Sequence, residues 1–157
     1  MHGLMAKIGR YYADGQHIRR SGGAVGSDSI FIGEVTELDE IYRPVYRGIE
    51  HEIIIGDRFQ NVARKLHPLY DELEYNQRLL INRNVAQIVG NGNAILKSDL
   101  VVYYAPTKNG RVVGGTRTAV LLAKRLSIPC YNLMEHKNIQ FWEKKLGIKS
   151  GFRPLDI

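Results

Sequence analysis

Two short stretches carry the residues whose types and spacing could do chemistry: "RRSGGAVGSDSIF" (19–31) and "RVVGGTRTAVLLAKRL" (111–126). Each places a glycine pair between a β-prone run and a predicted helix. Gly costs about 1 kcal/mol inside a helix relative to Ala, so paired glycines ahead of one imply a backbone need. That need is a positive φ, or close approach of main-chain N–H groups to a ligand. The first turn of a helix offers unpaired N–H donors and the positive end of the dipole, a combination that attracts phosphate. Residues 21–26, "SGGAVG", follow the dinucleotide pattern G-x-G-x-x-G with Ser21 in the first glycine place, then Gly23 and Gly26; Gly22 lies between them. A plain β–α turn needs the same glycines, so the pattern alone leaves both readings open. In the second stretch, Gly114 and Gly115 precede Thr116, whose hydroxyl is placed to cap the helix or to meet a phosphate. No G-x-x-x-x-G-K-[ST] loop occurs, which sets Walker-type ATPase chemistry aside.

A second group sits on the predicted long helix. Arg83 and Gln87 are four apart and Asn84 and Gln87 three apart, so they share a face. Arg83 is a natural phosphate fork. Asn84 and Gln87 could read a base edge or fix the glycine turns; a solvated polar face is the plain alternative. Asp28 is placed either to accept a ribose hydroxyl or to balance the helix dipole. The five histidines show no metal spacing and there is no H-E-x-x-H, so neither a metal nor a cofactor is expected. No G-x-S-x-G occurs and no catalytic residue can be named. The acidic run "EVTELDE" (34–40) reads as a solvated helix face. Stacking of a base on Tyr42 or Tyr104 is conceivable, and Trp142 with Phe141 reads as packing or a dimer contact.

The elements that must position these groups follow from periodicity. The spacing predicts a helix over 1–14 ending at Gly15, a short strand over 16–21, a helix from about Gly26, and a buried strand over 51–57. Asp57 is expected to cap a short helix, and one long helix is expected over 69–89. Strands are expected over 99–105 and 128–133, with helices over 116–126 and 139–146; residues 36–48 fit no element well. Tyr103 and Tyr104 should point to opposite faces of their strand. Strands alternating with helices, and continuously apolar, imply an α/β fold with a parallel sheet covered on both faces. Both glycine turns would then leave carboxyl ends of strands, the edge where such sheets bind ligands.

The 157 residues fit one domain, with 149–157 as a loose tail. Composition is globular, at 44% hydrophobic and 24% charged residues. Cys130 is the one cysteine, so no intrachain disulfide forms; a reducing, cytoplasmic setting is expected, with Cys130 as a core residue. No apolar run approaches the roughly 20 residues that span a bilayer, so no membrane partner is expected. The net charge of +6 favours anionic partners, and "HIRR" (17–20) is the densest basic cluster.

Four motifs in order, "RRSGGAVGSDSIF", "RNVAQIVG", "SDLVVYYAP" and "GGTRTAVLLAKRLSIPCYNL", resemble a phage-associated branch of the SLOG superfamily. That superfamily is Rossmann-like and related to DNA-processing protein A and the LOG phosphoribohydrolases. The resemblance runs from about Met5 to Leu133. It implies a three-layer sandwich with a mostly parallel sheet, and a nucleotide or nucleotide-derived ligand held by both turns. Ser21, Gly22, Gly23, Gly26 and Asp28 would hold it from the first turn, Gly114, Gly115 and Thr116 from the second. Arg83, Asn84 and Gln87 would lie beside them. It also implies a strand ahead of the first helix; here the chain starts at that helix, so a first strand is expected to be missing, filled differently or exchanged in a homo-oligomer. Two further departures bear on chemistry. Ile32 stands where the phage branch carries Glu, with Glu34 two places off, and Arg117, Thr118, Ala119 and Val120 stand where LOG enzymes carry an acid. Binding without hydrolysis is therefore the first expectation, such as sequestering or sensing a nucleotide signal in the host cytoplasm for a viral chain. A nucleotide N-glycosidase or phosphoribohydrolase using Asp28 or Glu34 is the second, and single-stranded DNA binding the third.

Overall fold

The computed structural model describes residues 2–93 and 95–152. Helix α1 (His2–Asp14) buries Leu4, Met5 and Ile8 along one stripe. Its chain reversal uses Gln16, at φ 57, as the left-handed residue rather than the expected Gly15. Strand β1 (Arg20–Ser21), helix α2 (Ser27–Ile32), strand β2 (Glu40–Arg43) and strand β3 (Glu52–Ile54) follow. Helix α3 (Gln60–Leu66) comes next, then a 3-10 turn (Tyr70–Glu72) and helix α4 (Tyr75–Val89). Strand β4 (Val101–Tyr103) leads to a hairpin, β5 (Thr107–Lys108) and β6 (Arg111–Val112). Helix α5 (Arg117–Arg125), strand β7 (Cys130–Asn132) and helix α6 (His136–Leu146) complete the described elements.

The protein is mixed α/β, and its strands form two small parallel sheets instead of the single expected one. One sheet has the order β1-β2-β3, the other is β4-β7, and β5-β6 is a separate antiparallel hairpin. The second sheet is covered on both faces. Val101 packs towards α4 and α5 through Val85, Ile88, Ala119 and Leu122. Leu100, Val102 and Tyr104 pack towards Leu4, Met5, Ile8, Ile139 and Trp142 of α1 and α6. Tyr103 joins Ala105, Val112 and Val120 instead, so the two tyrosines do part company across the strand.

The run 34–40 is not a solvated helix face. Asp39 and Glu40 enter β2 and are 1% and 0% exposed. The reason lies at the start of β1, where Arg19 and Arg20 meet them. Arg19 Nε donates to Asp39 Oδ1 at 2.8 Å and Arg20 Nε to Glu40 Oε1 at 2.8 Å. Arg19 also donates Nη1 to the carbonyls of Gly9, Phe31 and Ile32 and Nη2 to that of Glu34. One guanidinium thus ties α1, α2, β1 and β2, its charge matched by Asp39 and its remaining donors satisfied, as a buried cation requires. At this point α1 and α2 approach so closely that a Cβ on Gly9 would lie 1.8 Å from the Phe31 carbonyl oxygen.

Other boundaries differ for local reasons. The N-cap of α3 is Phe59, left-handed at φ 66, and Asp57 contributes its carbonyl to Gln60 rather than its side chain. The expected 69–89 helix is broken: the 3-10 turn ends at Leu73, which is extended, and α4 restarts with Glu74 capped by Gln77 at 3.3 Å. Trp142 is core, edge-on to Tyr12 and Tyr131. Cys130 is half-buried against the core between β4 and α5, which pushes its thiol pKa up. Of the predicted tail, Ser150 bonds Glu143 and Phe152 packs edge-on to Tyr104; residues 153–157 lie outside the described residues.

Candidate functional site

The expected turns lie at one cleft. It occupies about 660 Å³ between the β1 edge of the first sheet and the β4 edge of the second. Ser21, Asp28, Arg83, Asn84, Gln87, Gly115 and Thr116 all line it. Gly22 supports it from behind: its carbonyl accepts from Arg83 Nη1 at 3.4 Å, and a Cβ there would lie 2.8 Å from Arg83 Cζ. Gly23, Gly26 and Gly114 shape the turns through φ values of 63, 109 and 86.

A pair of neighbours on α4 holds the two turns together. Arg83 reaches the Gly22 carbonyl and also donates Nη2 to Asn84 Oδ1 at 3.2 Å. Asn84, buried, donates Nδ2 to the Gly115 carbonyl at 2.7 Å. Asn84 therefore fixes a glycine turn, the second of the two roles its type allowed. Gln87 lines the wall, and its carbonyl accepts from Ser98 Oγ at 2.9 Å.

The turns differ in what they present. In the first, Asp28 Oδ2 accepts the N–H of Gly22 at 3.0 Å and of Ala24 at 3.3 Å, Ser21 Oγ takes that of Gly23, and Ser29 Oγ that of Gly26. The amides of Gly22, Gly23, Ala24 and Gly26 are thus satisfied within the chain, and Asp28 neither caps the dipole alone nor lies free: its carboxylate closes the loop. In the second turn, Gly114 and Gly115 are exposed, Thr116 is half-buried at the start of α5 and makes no side-chain capping bond, and a Cβ on Gly115 would meet nothing within 4 Å. This turn leaves room for a ligand against a helix start.

Arg83 is the electrostatic centre. Burial lowers its guanidinium pKa below the ordinary arginine value; Asp28 opposes that shift and Arg43 adds to it. Arg83 Nε is buried with no hydrogen-bond partner. A desolvated cation with an unused donor at a cleft wall is the local condition that favours an anion.

Residues not singled out by motif also take part. Arg43 donates Nη1 to the Gly23 carbonyl and so holds the first turn from β2, a strand hidden in the stretch whose period was unreadable. Lys97, Ser98 and Asp99 form the lower rim, and Tyr12 and His17 line one wall. Tyr104 lines the cleft as well. Tyr42 does not: it is fully buried, its hydroxyl donating to Glu40 Oε1 at 2.7 Å, and base stacking there is closed off. Among the described residues no group of histidine, cysteine and carboxylate side chains could hold a metal ion, and no helix is long and apolar enough to cross a membrane.

The fold and the cleft define an α/β protein with two parallel sheets and a glycine-turn site between them. No family model, curated protein or solved structure matches the chain.

Proposed function

We propose that this chain binds a nucleotide or nucleotide-derived anion at the upper rim of the cleft, and that it belongs with the Rossmann-like SLOG proteins its motifs resemble. The two sheets are read as the halves of one three-layer sandwich. The observation that carries the binding reading is the bridge Gly22–Arg83–Asn84–Gly115, which gathers two glycine turns and a desolvated guanidinium at one opening. The phosphate sits against the start of α5, beside Gly115 and Thr116, and Arg83 neutralises its charge. Asp28 faces the same opening and is the group for a ribose hydroxyl. Binding without hydrolysis is preferred because Asp28, the one candidate acid that lines the rim, is already held by two amides. The DNA-binding alternative loses its main support, since Arg19 of "HIRR" is buried and Arg20 is paired with Glu40. In the cell the role is to sequester or sense a nucleotide signal.

Calorimetric titration with nucleoside mono- and diphosphates tests this, with chromatography of the same samples for released base. Saturable binding without base release is expected. Arg83→Gln removes a charge-assisted contact of ~1.5–3 kcal/mol, and so weakens binding about 10- to 150-fold. Equal affinity in the variant, or no binding by the parent, refutes the site; released base moves the assignment to the glycosidase.

A further inference from the structure

We infer that the β5–β6 hairpin and the first turn of α5 form a second phosphate subsite, so that the ligand carries two phosphoryl groups and straddles the second glycine turn. This subsite rests on the nucleotide reading and extends it from one anionic group to two. An open hollow of about 390 Å³ shares no lining residue with the cleft and is lined by Lys108, Asn109, Arg111, Val112, Val113 and Arg117. Local sequence builds it. "KNGR" (108–111) reverses on Asn109 and Gly110, both left-handed at φ 52 and 72, as a two-residue hairpin turn requires. That turn sets Lys108 directly opposite Arg111, and opposed residues share a face. Val112, buried with Tyr103, Ala105 and Val120, pins the hairpin to the core. Val113 N–H bonds Pro106 O at 3.1 Å and Arg117 N–H bonds Gly114 O at 3.2 Å, which holds Arg117 beside the same hollow.

Three cations, Lys108, Arg111 and Arg117, line the hollow, and among the described residues no carboxylate does. None of the three has an ion pair or a side-chain hydrogen bond among the described residues. Other surface cations are answered, Arg64 by Asp71 and Lys137 by Glu135. The placements are also unfavourable without an anion. Like charges directly opposite each other in a β-pair repel. Arg117 opens α5 at the positive end of its dipole, in a first turn with no acid. Cations that converge on a concave surface add their fields there, and phosphate oxygens accept from Lys and Arg together.

One ligand can reach both openings. Val113 and Arg117 line the hollow while Gly115 and Thr116 line the cleft, and the Cα atoms of Thr116 and Arg117 are neighbours about 3.8 Å apart. Between Val113 and Thr116 the chain has only Gly114 and Gly115, and a Cβ at either would meet nothing within 4 Å. The ridge between the openings is therefore low and bare, and a phosphate linkage crosses it. The cations gather round one hollow instead of following a groove, which suits a small ligand better than a nucleic-acid backbone.

Calorimetric titration of the full chain compares AMP with ADP, whose phosphates are adjacent, and with adenosine 3′,5′-bisphosphate, whose phosphates are separated by the ribose. At least one of these two should bind at least about tenfold more tightly than AMP. In the double variant Lys108→Gln, Arg111→Gln that advantage should fall to about twofold or less, with the parent melting temperature. The double variant Lys124→Gln, Arg125→Gln removes the same charge from the other end of α5 and should keep the advantage, which separates a built site from net charge. Equal binding of all three nucleotides by the parent, or an advantage that survives the hairpin substitutions or is lost equally in the control, overturns the second subsite. If the parent binds none of the three, the nucleotide reading fails and inorganic pyrophosphate decides the hollow by itself. Pyrophosphate binding that the hairpin substitutions abolish keeps the site; no binding at about 1 mM overturns it. A single-stranded oligodeoxythymidine that binds more tightly than ADP, and does so only with the hairpin cations present, assigns the hollow to nucleic acid and overturns the small-ligand subsite.

Discussion

Gly9→Ala is a substitution for which helix propensity and packing disagree in sign. Gly9 lies inside α1, where Ala is favoured by about 1 kcal/mol. The structure places the new Cβ 1.8 Å from Phe31 O and 2.8 Å from Phe31 C, both main-chain atoms of α2 that cannot swing aside. An ordinary C···O contact is about 3.3 Å or more, so α1 and α2 must separate by roughly 1.5 Å. The Gly9 and Phe31 carbonyls each accept from Arg19 Nη1 at 3.3 Å, and that separation breaks at least one of the two bonds. Overpacking costs ~1–3 kcal/mol and a charged hydrogen bond ~1.5–3 kcal/mol; less the propensity gain, the net is roughly 3 kcal/mol of lost stability. For a chain of this size that lowers Tm by roughly 6–12 °C. Circular-dichroism melts and urea titrations measure it, with Gly3→Ala as control, because Gly3 is in the same helix and a Cβ there meets nothing within 4 Å. If Gly9→Ala melts at or above the parent temperature, the α1–α2 approach described here is wrong.

Asp39→Ala leaves the Arg19 guanidinium buried without its carboxylate and should cost ~3–5 kcal/mol in urea unfolding, far more than removal of the exposed Asp71 partner of Arg64. Burial, aided for Tyr42 by its hydrogen bond to Glu40, raises the pKa of Tyr42 and of Tyr103 to about 12. Because the folded value lies above the unfolded one of about 10, their contribution to stability is complete below pH 10 and lost as pH rises towards 12. An ultraviolet difference titration should show tyrosines ionising late, and Tyr42→Phe should remove one of them. Gly115→Val has space for its side chain and should keep the parent Tm while abolishing nucleoside-monophosphate binding in calorimetry. Gly22→Ala should weaken the same binding by displacing Arg83, since the Cβ would lie 2.9 Å from its Nε.

Much of the element order was legible because it depends on short-range signals. The α1 stripe, the isoleucine run of β3, the β-branched run of β4 and the amphipathic α5 are periodicities that burial enforces. The convergence of Ser21, Asp28, Arg83, Asn84, Gln87, Gly115 and Thr116 on one cleft could be anticipated from their places at strand ends and on one helix face. What escaped depends on partners distant in sequence. β2 was hidden because Glu40 and Arg43, which read as surface residues, are buried or half-buried opposite Arg20 and Glu52. The split of the sheet was not readable from strand composition, which reports burial but not which edge finds a neighbour. Nor could sequence show that Asp28 folds back on the amides of its own loop, since a carboxylate two residues past Gly26 suits a ligand equally well.

The charge pattern has a structural reason that bears on function. Arg19 and Arg20 lead into β1, and Asp39 and Glu40 lead into β2, with Arg20 paired opposite Glu40. Successive residues of a strand point to opposite faces, so one ion pair goes to each side of the sheet. Arg19–Asp39 lies under α1 and α2, while Arg20–Glu40 lies towards Asn93 and Ser98: Glu40 Oε2 accepts the Asn93 N–H and Arg20 Nη1 meets Ser98 Oγ. Slipping the β1–β2 pairing by one residue would turn each arginine to the wrong face and leave two buried carboxylates unmatched, at a cost of several kcal/mol apiece. The pairs therefore fix the register that places Ser21 in the cleft wall and Gly22 behind it. The densest basic cluster of the sequence is thus spent on building the first sheet beside the cleft, and Arg83 reaches the same cleft from α4, much further along the chain.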